Sequence, residues 1–160
     1  MTDERDAHLR LASSRLMAVL PGGLGDFDDP GDEPLAPGTP RPALISISVR
    51  RSGGRVTAST SLAMAGMVLS GSATREDADR ERTIALATLD ALRPIVPEGV
   101  DIESAQIVAI PGRKVALTVV GFPDDTGQFE ALVGSALVRG DTEDALARSV
   151  LSALNRRLSS

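Results

Sequence analysis

The tripeptide Gly71-Ser72-Ala73 returns 63 positions later as Gly134-Ser135-Ala136. The segments behind them match at a spacing of 62, so that Thr88-Leu-Asp-Ala-Leu92 falls on Val150-Leu-Ser-Ala-Leu154. Within that alignment Ile84, Ala85, Leu89, Ala91 and Leu92 meet Leu146, Ala147, Leu151, Ala153 and Leu154. Apolar residues at helical spacing predict two amphipathic helices. A shared small-residue tripeptide at almost fixed distance ahead of each points to an internal duplication.

Working outward, each predicted helix is preceded by alternating segments. Leu44–Arg50 places Ile45, Ile47 and Val49 on one face, Arg51–Gly54 reads as a turn, and Val56–Leu62 alternates again. The extended run continues to Ser70, with Gly66 as its expected bend or break. Thr74-Arg-Glu-Asp77 has the pattern of a capping box and predicts a helix from there to about Leu92, ended by Pro94 and Pro97. The second half repeats the plan: strands over 102–110, 113–121 and 128–138, turns at Pro111-Gly112 and Asp124–Gly127, and a helix capped by Asp141 or Thr142 that runs to about Leu158. The expected fold is α+β: two tandem hairpin-or-meander-plus-helix repeats, over about 44–96 and 100–158. They are expected to form one antiparallel sheet of five or six strands with two helices on one face.

Ahead of this domain, 44–160, the chain divides in two. Residues 1–20 contain Leu9, Ala12, Leu16 and Val19 at helical spacing and predict an amphipathic helix stopped by Pro21 and Gly22. Such a helix needs a partner surface, on its own domain or on another protein. Residues 21–43 hold six Pro, five Gly and five acids, the composition of an acidic flexible linker. The Gly22-Gly-Leu-Gly25 run inside it lacks the Lys-Ser/Thr and the strand of a phosphate loop.

Composition narrows the chemistry. The chain has 160 residues, no Cys, Trp or Tyr, three Phe and one His, His8. The core is therefore expected to be aliphatic, and disulfides, thiolate metal sites and a cysteine nucleophile are excluded. Residues 1–42 carry eight acids against four arginines, and the remainder is near neutral, with fourteen acids against thirteen bases. That balance argues against a phosphate-binding surface and so against nucleic acid as a partner. Arg50, Arg51 and Arg55 around the first turn are read as a solubility device. The carboxylates Glu76, Asp77, Asp79 and Glu81 are interleaved with Arg75, Arg80 and Arg82, which reads as a solvated face at a helix start. No serine elbow or triad is visible. Neither catalytic residues nor a metal or cofactor site is expected. With no apolar run of membrane-spanning length and no basic, apolar N-terminal signal, a cytoplasmic location is the expectation.

Two sets of residues are candidate sites. Gly71, Ser72, Gly134 and Ser135 precede predicted helices, whose free N–H groups bind carboxylates or phosphates, although the favoured reading of the same residues is a strand-to-helix turn allowed by Gly and capped by Ser. Val115, Leu117 and Val119 lie in a strand, Val115-Ala-Leu-Thr-Val-Val120, that is apolar on both faces, which predicts a cover over the face away from the helices, either a second subunit or the N-terminal segment. Thr57, Ser59 and Ser61 make the corresponding face of the first unit polar.

Two successive units of antiparallel strands plus a helix, each with Gly-Ser-Ala ahead of the helix, resemble the regulatory domain of the α-isopropylmalate synthase family. The resemblance covers residues 44–158. It implies a duplicated βββα module that dimerises and binds an amino-acid effector. It does not extend to that family's catalytic barrel, so no activity is carried over. The expectation is a non-catalytic regulatory or scaffold module that forms a homodimer. The alternative is a sensor that binds an anionic metabolite at the repeat junction or the helix N-termini.

Overall fold

A computed structural model describes residues 40–159. The predicted helix 1–20 and all but the end of the linker 21–43 lie outside the described residues. The elements run β1 (Ala43–Ser52), β2 (Arg55–Met64), β3 (Met67–Arg75), α1 (Arg80–Leu92), β4 (Asp101–Ile110), β5 (Arg113–Pro123), β6 (Phe129–Leu137) and α2 (Thr142–Leu158). The class is α+β, built of two successive βββα units.

The two units share their details. Strands β1 and β2 pair antiparallel with a bulge between Leu44 and Ser46, and β4 and β5 pair with a bulge between Ile102 and Ser104, 58 positions on. Each third strand pairs in unbroken register with the second: Thr60 faces Gly71, and Thr118 faces Gly134. The spacing grows from 58 for the first two strands to 63 for the third. The five added residues lie at the connection between β5 and β6. There Asp124 Oδ1 accepts hydrogen bonds from the amides of Thr126 and Gln128, both at 2.8 Å. In the first unit the same connection is only Ala65-Gly66, both in the left-handed region, φ 50° and 76°. This pair of residues divides the long extended run into two strands.

The sequence predicted one sheet, and the structure has two three-stranded sheets, ordered β1-β2-β3 and β4-β5-β6. The reason lies in how the helices are covered. Helix α1 packs on β2 and β3 of its own unit and on β4 of the other, and α2 packs on β5 and β6 and on β1. Each helix is thus buried on more than one side. Thr83, Ile84, Ala85, Ala87, Thr88, Leu89, Ala91 and Leu92 are all buried in α1, a wider arc than the predicted stripe of Ile84, Ala85, Leu89 and Leu92. Both core clusters mix the units: one joins Leu62, Leu89 and Leu92 to Ile102, Val120, Val150 and Leu154, the other joins Ala58, Ile84 and Ala87 to Ala116, Ala145 and Leu146. At about 1.5–3 kcal/mol for each large side chain fully buried, neither unit keeps its core without the other. Arg82 of α1 and Arg93, which caps its C-terminus, add hydrogen bonds to the carbonyls of Ile102, 3.0 Å, and Val100, 2.7 Å.

The start of α1 also departs from the pattern. Thr74, read as a cap, lies in β3, where its hydroxyl meets that of Thr57 at 3.0 Å. Arg75 grips Asp77 in an ion pair that closes the turn, and Ala78 takes a positive φ of 58°. Asp79 is the cap, accepting from the Arg82 amide at 3.0 Å.

Candidate functional site

The glycines of the repeated tripeptide lie in mid-strand, beneath the middle of each helix. A Cβ on Gly71 would stand 2.5 Å from the Ala87 carbonyl oxygen and closer still to the Ala91 amide nitrogen. On Gly134 it would meet the Ser149 carbonyl oxygen and the Ala153 amide nitrogen inside contact distance. Ala87 and Ser149, and likewise Ala91 and Ala153, are 62 positions apart, so the same glycine-to-helix contact is made twice. Ser72 and Ser135 point to the opposite, exposed face. None of the four residues borders a helix N-terminus. The Ser72 amide is taken by Asp90 Oδ2 at 2.9 Å.

A second repeated contact is a buried hydroxyl pair between the central strand and the helix. Thr60 Oγ1 lies 3.3 Å from Thr88 Oγ1, and Thr118 Oγ1 lies 2.6 Å from Ser149 Oγ. Thr88 donates to the Ile84 carbonyl at 3.0 Å and Ser149 to that of Leu146 at 2.7 Å. The strand threonine is therefore the donor in each pair.

The faces away from the helices differ. On the first sheet the register sets Ser46, Ser48 and Arg50 beside Ser61, Ser59 and Thr57, and these beside Ser70, Ser72 and Thr74. On the second, the same nine places hold Ser104, Gln106 and Val108, then Val119, Leu117 and Val115, then Val133, Ser135 and Leu137. Val115, Leu117 and Val119 are half-buried by their neighbours. Val133 is 66% exposed, and Phe129, further along β6, is 65% exposed. Sequence reasoning found the central strand of this face but missed Val108, Val133, Leu137 and Phe129. Their signal was the alternation in Val133-Gly-Ser-Ala-Leu137, masked because Gly134 and Ala136, which face the helix, are small.

A cleft of about 410 Å³ opens where the units meet, lined by Ile47, Val49, Arg51 and Val56 and by Arg80, Asp141 and Glu143 from the two helix starts. Arg80 forms an ion pair with Glu143 and donates to Thr142 Oγ1 at 3.3 Å, so the helix N-termini are tied across the junction. Of the arginines around the first turn, Arg55 pairs with Glu76 at 2.6 Å. Three of the four carboxylates at the start of α1 are engaged locally: Glu76 by Arg55, Asp79 by the Arg82 amide, and Asp77 by the Arg75 guanidinium, which holds its carboxyl at a pKa of about 2. Hydrogen bonds from Thr126 likewise lower that of Asp124. Among the described residues no group of three or more His, Cys, Asp or Glu is placed to hold a metal ion, and no helix is long and apolar enough to cross a membrane.

No protein-family model matches the chain, and no curated protein matches it.

Proposed function

We propose that the chain is a non-catalytic regulatory or scaffold module that self-associates through the outer face of its second sheet. The observation that carries this reading is the contrast between the two outer faces. Nine places that hold Ser, Thr and Arg on one sheet hold Val and Leu at six positions on the other. A solvated antiparallel face is polar where it meets water, as the first sheet is over these nine places, with Val68 as an exposed apolar residue beyond them. A contiguous apolar face on a soluble domain marks a contact, and a near-neutral domain presents little charge against a second copy. The simplest closed contact is isologous, and the resemblance to a dimerising regulatory domain points the same way. A cytoplasmic location belongs to the same reading.

Light scattering on the full chain at tens of micromolar tests it. Wild type is expected as an oligomer, and Leu117→Lys, which sets a charge at the centre of the face, lowers the order of assembly. A wild type that stays monomeric removes the reading.

A second reading is favoured by the junction cleft: an anionic metabolite held by Arg51, with Ile47, Val49 and Val56 for an apolar part, in a cleft where Glu143 already pairs with Arg80 and Asp141 is the further carboxylate the ligand must avoid. Thermal-shift screening with keto acids, amino acids and nucleotides checks it. Stabilisation that disappears in Arg51→Ala supports it, and no stabilisation by any compound discards it.

A further inference from the structure

The self-association reading leaves open how one three-stranded face makes a lasting contact. Strands rise ~3.3 Å per residue and lie ~4.8 Å apart, so the outer face of the second sheet is about 14 Å wide and on the order of 400 Å² in area. Stable interfaces bury about 800 Å² on each partner. A single face falls short by about half.

The sheet edges supply the remainder. Among the described residues there are four edge strands, and three carry devices that block further pairing. Strand β1 has its bulge at Leu44/Ser46 and ends in Arg50-Arg51; β4 has its bulge at Ile102/Ser104 and carries Asp101 and Glu103. Strand β3 is unbulged, but Asp90 on α1 reaches over its edge and takes the outward amide of Ser72 at 2.9 Å. Strand β6 has none of these. It pairs with β5 without a bulge from Phe129 to Leu137, and Ala131 to Leu137 is uncharged. Glu130, at its start, is tied to Arg157.

The outward groups of β6 can be assigned. The Val138 amide donates to the Lys114 carbonyl of β5 at 3.0 Å. By strand alternation the amides of Val133, Ser135 and Leu137 therefore point away from β5. Ser135 stands where Ser72 stands in the first unit, facing the same position of the central strand. The helix residue equivalent to Asp90 is Ser152, exposed and too short to act as the cap. Among the described residues no acceptor takes the Ser135 amide. Beside the end of β6 a groove of about 590 Å³ is lined by Ala136, Leu137, Arg139, Asp144 and Arg148, with room for side chains of an added strand. Arg148 is paired with Asp144 at 2.9 Å, which reduces its repulsion of a second copy.

We infer that β6 pairs antiparallel with β6 of a second copy, joining two second sheets into one six-stranded sheet, and that two such sheets stack through their outer faces. This rests on the self-association reading and extends it. Edge pairing places two apolar faces side by side and doubles the contact, to the size a stable interface needs. The two-fold axis of the edge contact is perpendicular to the sheet and that of the stacking contact lies parallel to it, so the assembly closes as a tetramer with three mutually perpendicular axes.

Sedimentation velocity on the full chain, in four forms, tests both contacts. Wild type is expected to reach a tetramer. Ser152→Asp rebuilds at β6 the cap that Asp90 provides at β3 and leaves one outer face as the only contact, so it is expected as a weak dimer in exchange with monomer, whereas Ser152→Ala behaves as wild type. Leu117→Lys, on the central strand and away from the edge, is also expected to stop at a dimer, and the double variant Ser152→Asp/Leu117→Lys to be monomeric with an unchanged circular dichroism spectrum. If Ser152→Asp assembles as wild type does, the edge inference is overturned and the outer-face reading stands. If Leu117→Lys assembles as wild type while Ser152→Asp becomes monomeric, the outer-face reading falls and the edge contact alone remains.

Discussion

The two βββα units of this chain agree in how each helix meets its own sheet and differ over most of the sheet face turned away from the helices. Inside, the bulge and the glycine under the helix occur twice, at spacings of 58 and 63 positions, and the hydroxyl pair twice, with 58 positions between its strand threonines and 61 between its helix partners. Outside, Thr57, Ser59 and Ser61 of the first unit become Val115, Leu117 and Val119 of the second. At the third strand's edge an acidic cap in the first unit gives way to Ser152 in the second. The inner features are set by packing, which tolerates little change in shape. The outer ones are free of that constraint and follow what each face meets, which on the first sheet is a run of Ser, Thr and Arg suited to water.

The sharpest way to break the inner agreement is at the glycines. Gly71→Ala and Gly134→Ala each force a methyl into helix backbone, which cannot move aside as a flexible side chain would. Each is expected to destabilise the domain by about 3 kcal/mol, at the upper end of the overpacking range. Urea unfolding followed by circular dichroism measures this. A loss below about 1 kcal/mol at either site would mean that the close approach of helix and strand is not required there.

The hydroxyl pairs sharpen the comparison. In a double-mutant cycle, Thr118→Val with Ser149→Ala is expected to give a coupling of about 1 kcal/mol, in line with a buried hydrogen bond. Thr60→Val with Thr88→Val is expected to give less, since its oxygens are 3.3 Å apart against 2.6 Å. Equal couplings would contradict the asymmetry.

A smaller effect separates the two β2–β3 and β5–β6 connections. Ala65 holds φ 50° in a two-residue turn that suits Asn or Gly. Ala65→Gly is expected to raise the unfolding free energy by about 0.5–1 kcal/mol, because the strain relieved is of order 1–2 kcal/mol and glycine returns part of it as unfolded-chain entropy. No gain in the urea midpoint would show that the turn is held without strain.

Much of this was legible in the sequence, for identifiable reasons. The duplication was carried by Gly-Ser-Ala and by the apolar helix positions, which the inner packing constrains, and the strand boundaries of the second unit fell within a residue or two. The split into two sheets was not legible. It depends on each helix covering the first strand of the other unit, and alternation within a strand does not say which helix covers it. The start of α1 was misread because Thr74-Arg-Glu-Asp77 fits a capping box locally, while the strand pairing of Thr74 with Thr57 overrides it. The repeated glycines were visible, but their place beneath the middle of a helix is a tertiary fact. The outer face was half visible: Val115, Leu117 and Val119 stand out because the run Val115–Val120 stays apolar on both faces instead of alternating, whereas Val133 and Leu137 sit among small residues.

The account centres on the outer face of the second sheet, and that face can be replaced by its own counterpart. Val115→Thr, Leu117→Ser and Val119→Ser together transplant the first unit's central strand surface onto the second. The comparison is sedimentation equilibrium of this triple variant and wild type, both as full chains, at tens of micromolar. The account predicts a wild type that assembles beyond a dimer, and a variant that keeps its fold but loses the stacking contact and stops at the edge-paired dimer. A wild type that sediments as a monomer, or a folded variant that assembles as fully as the wild type, would contradict it.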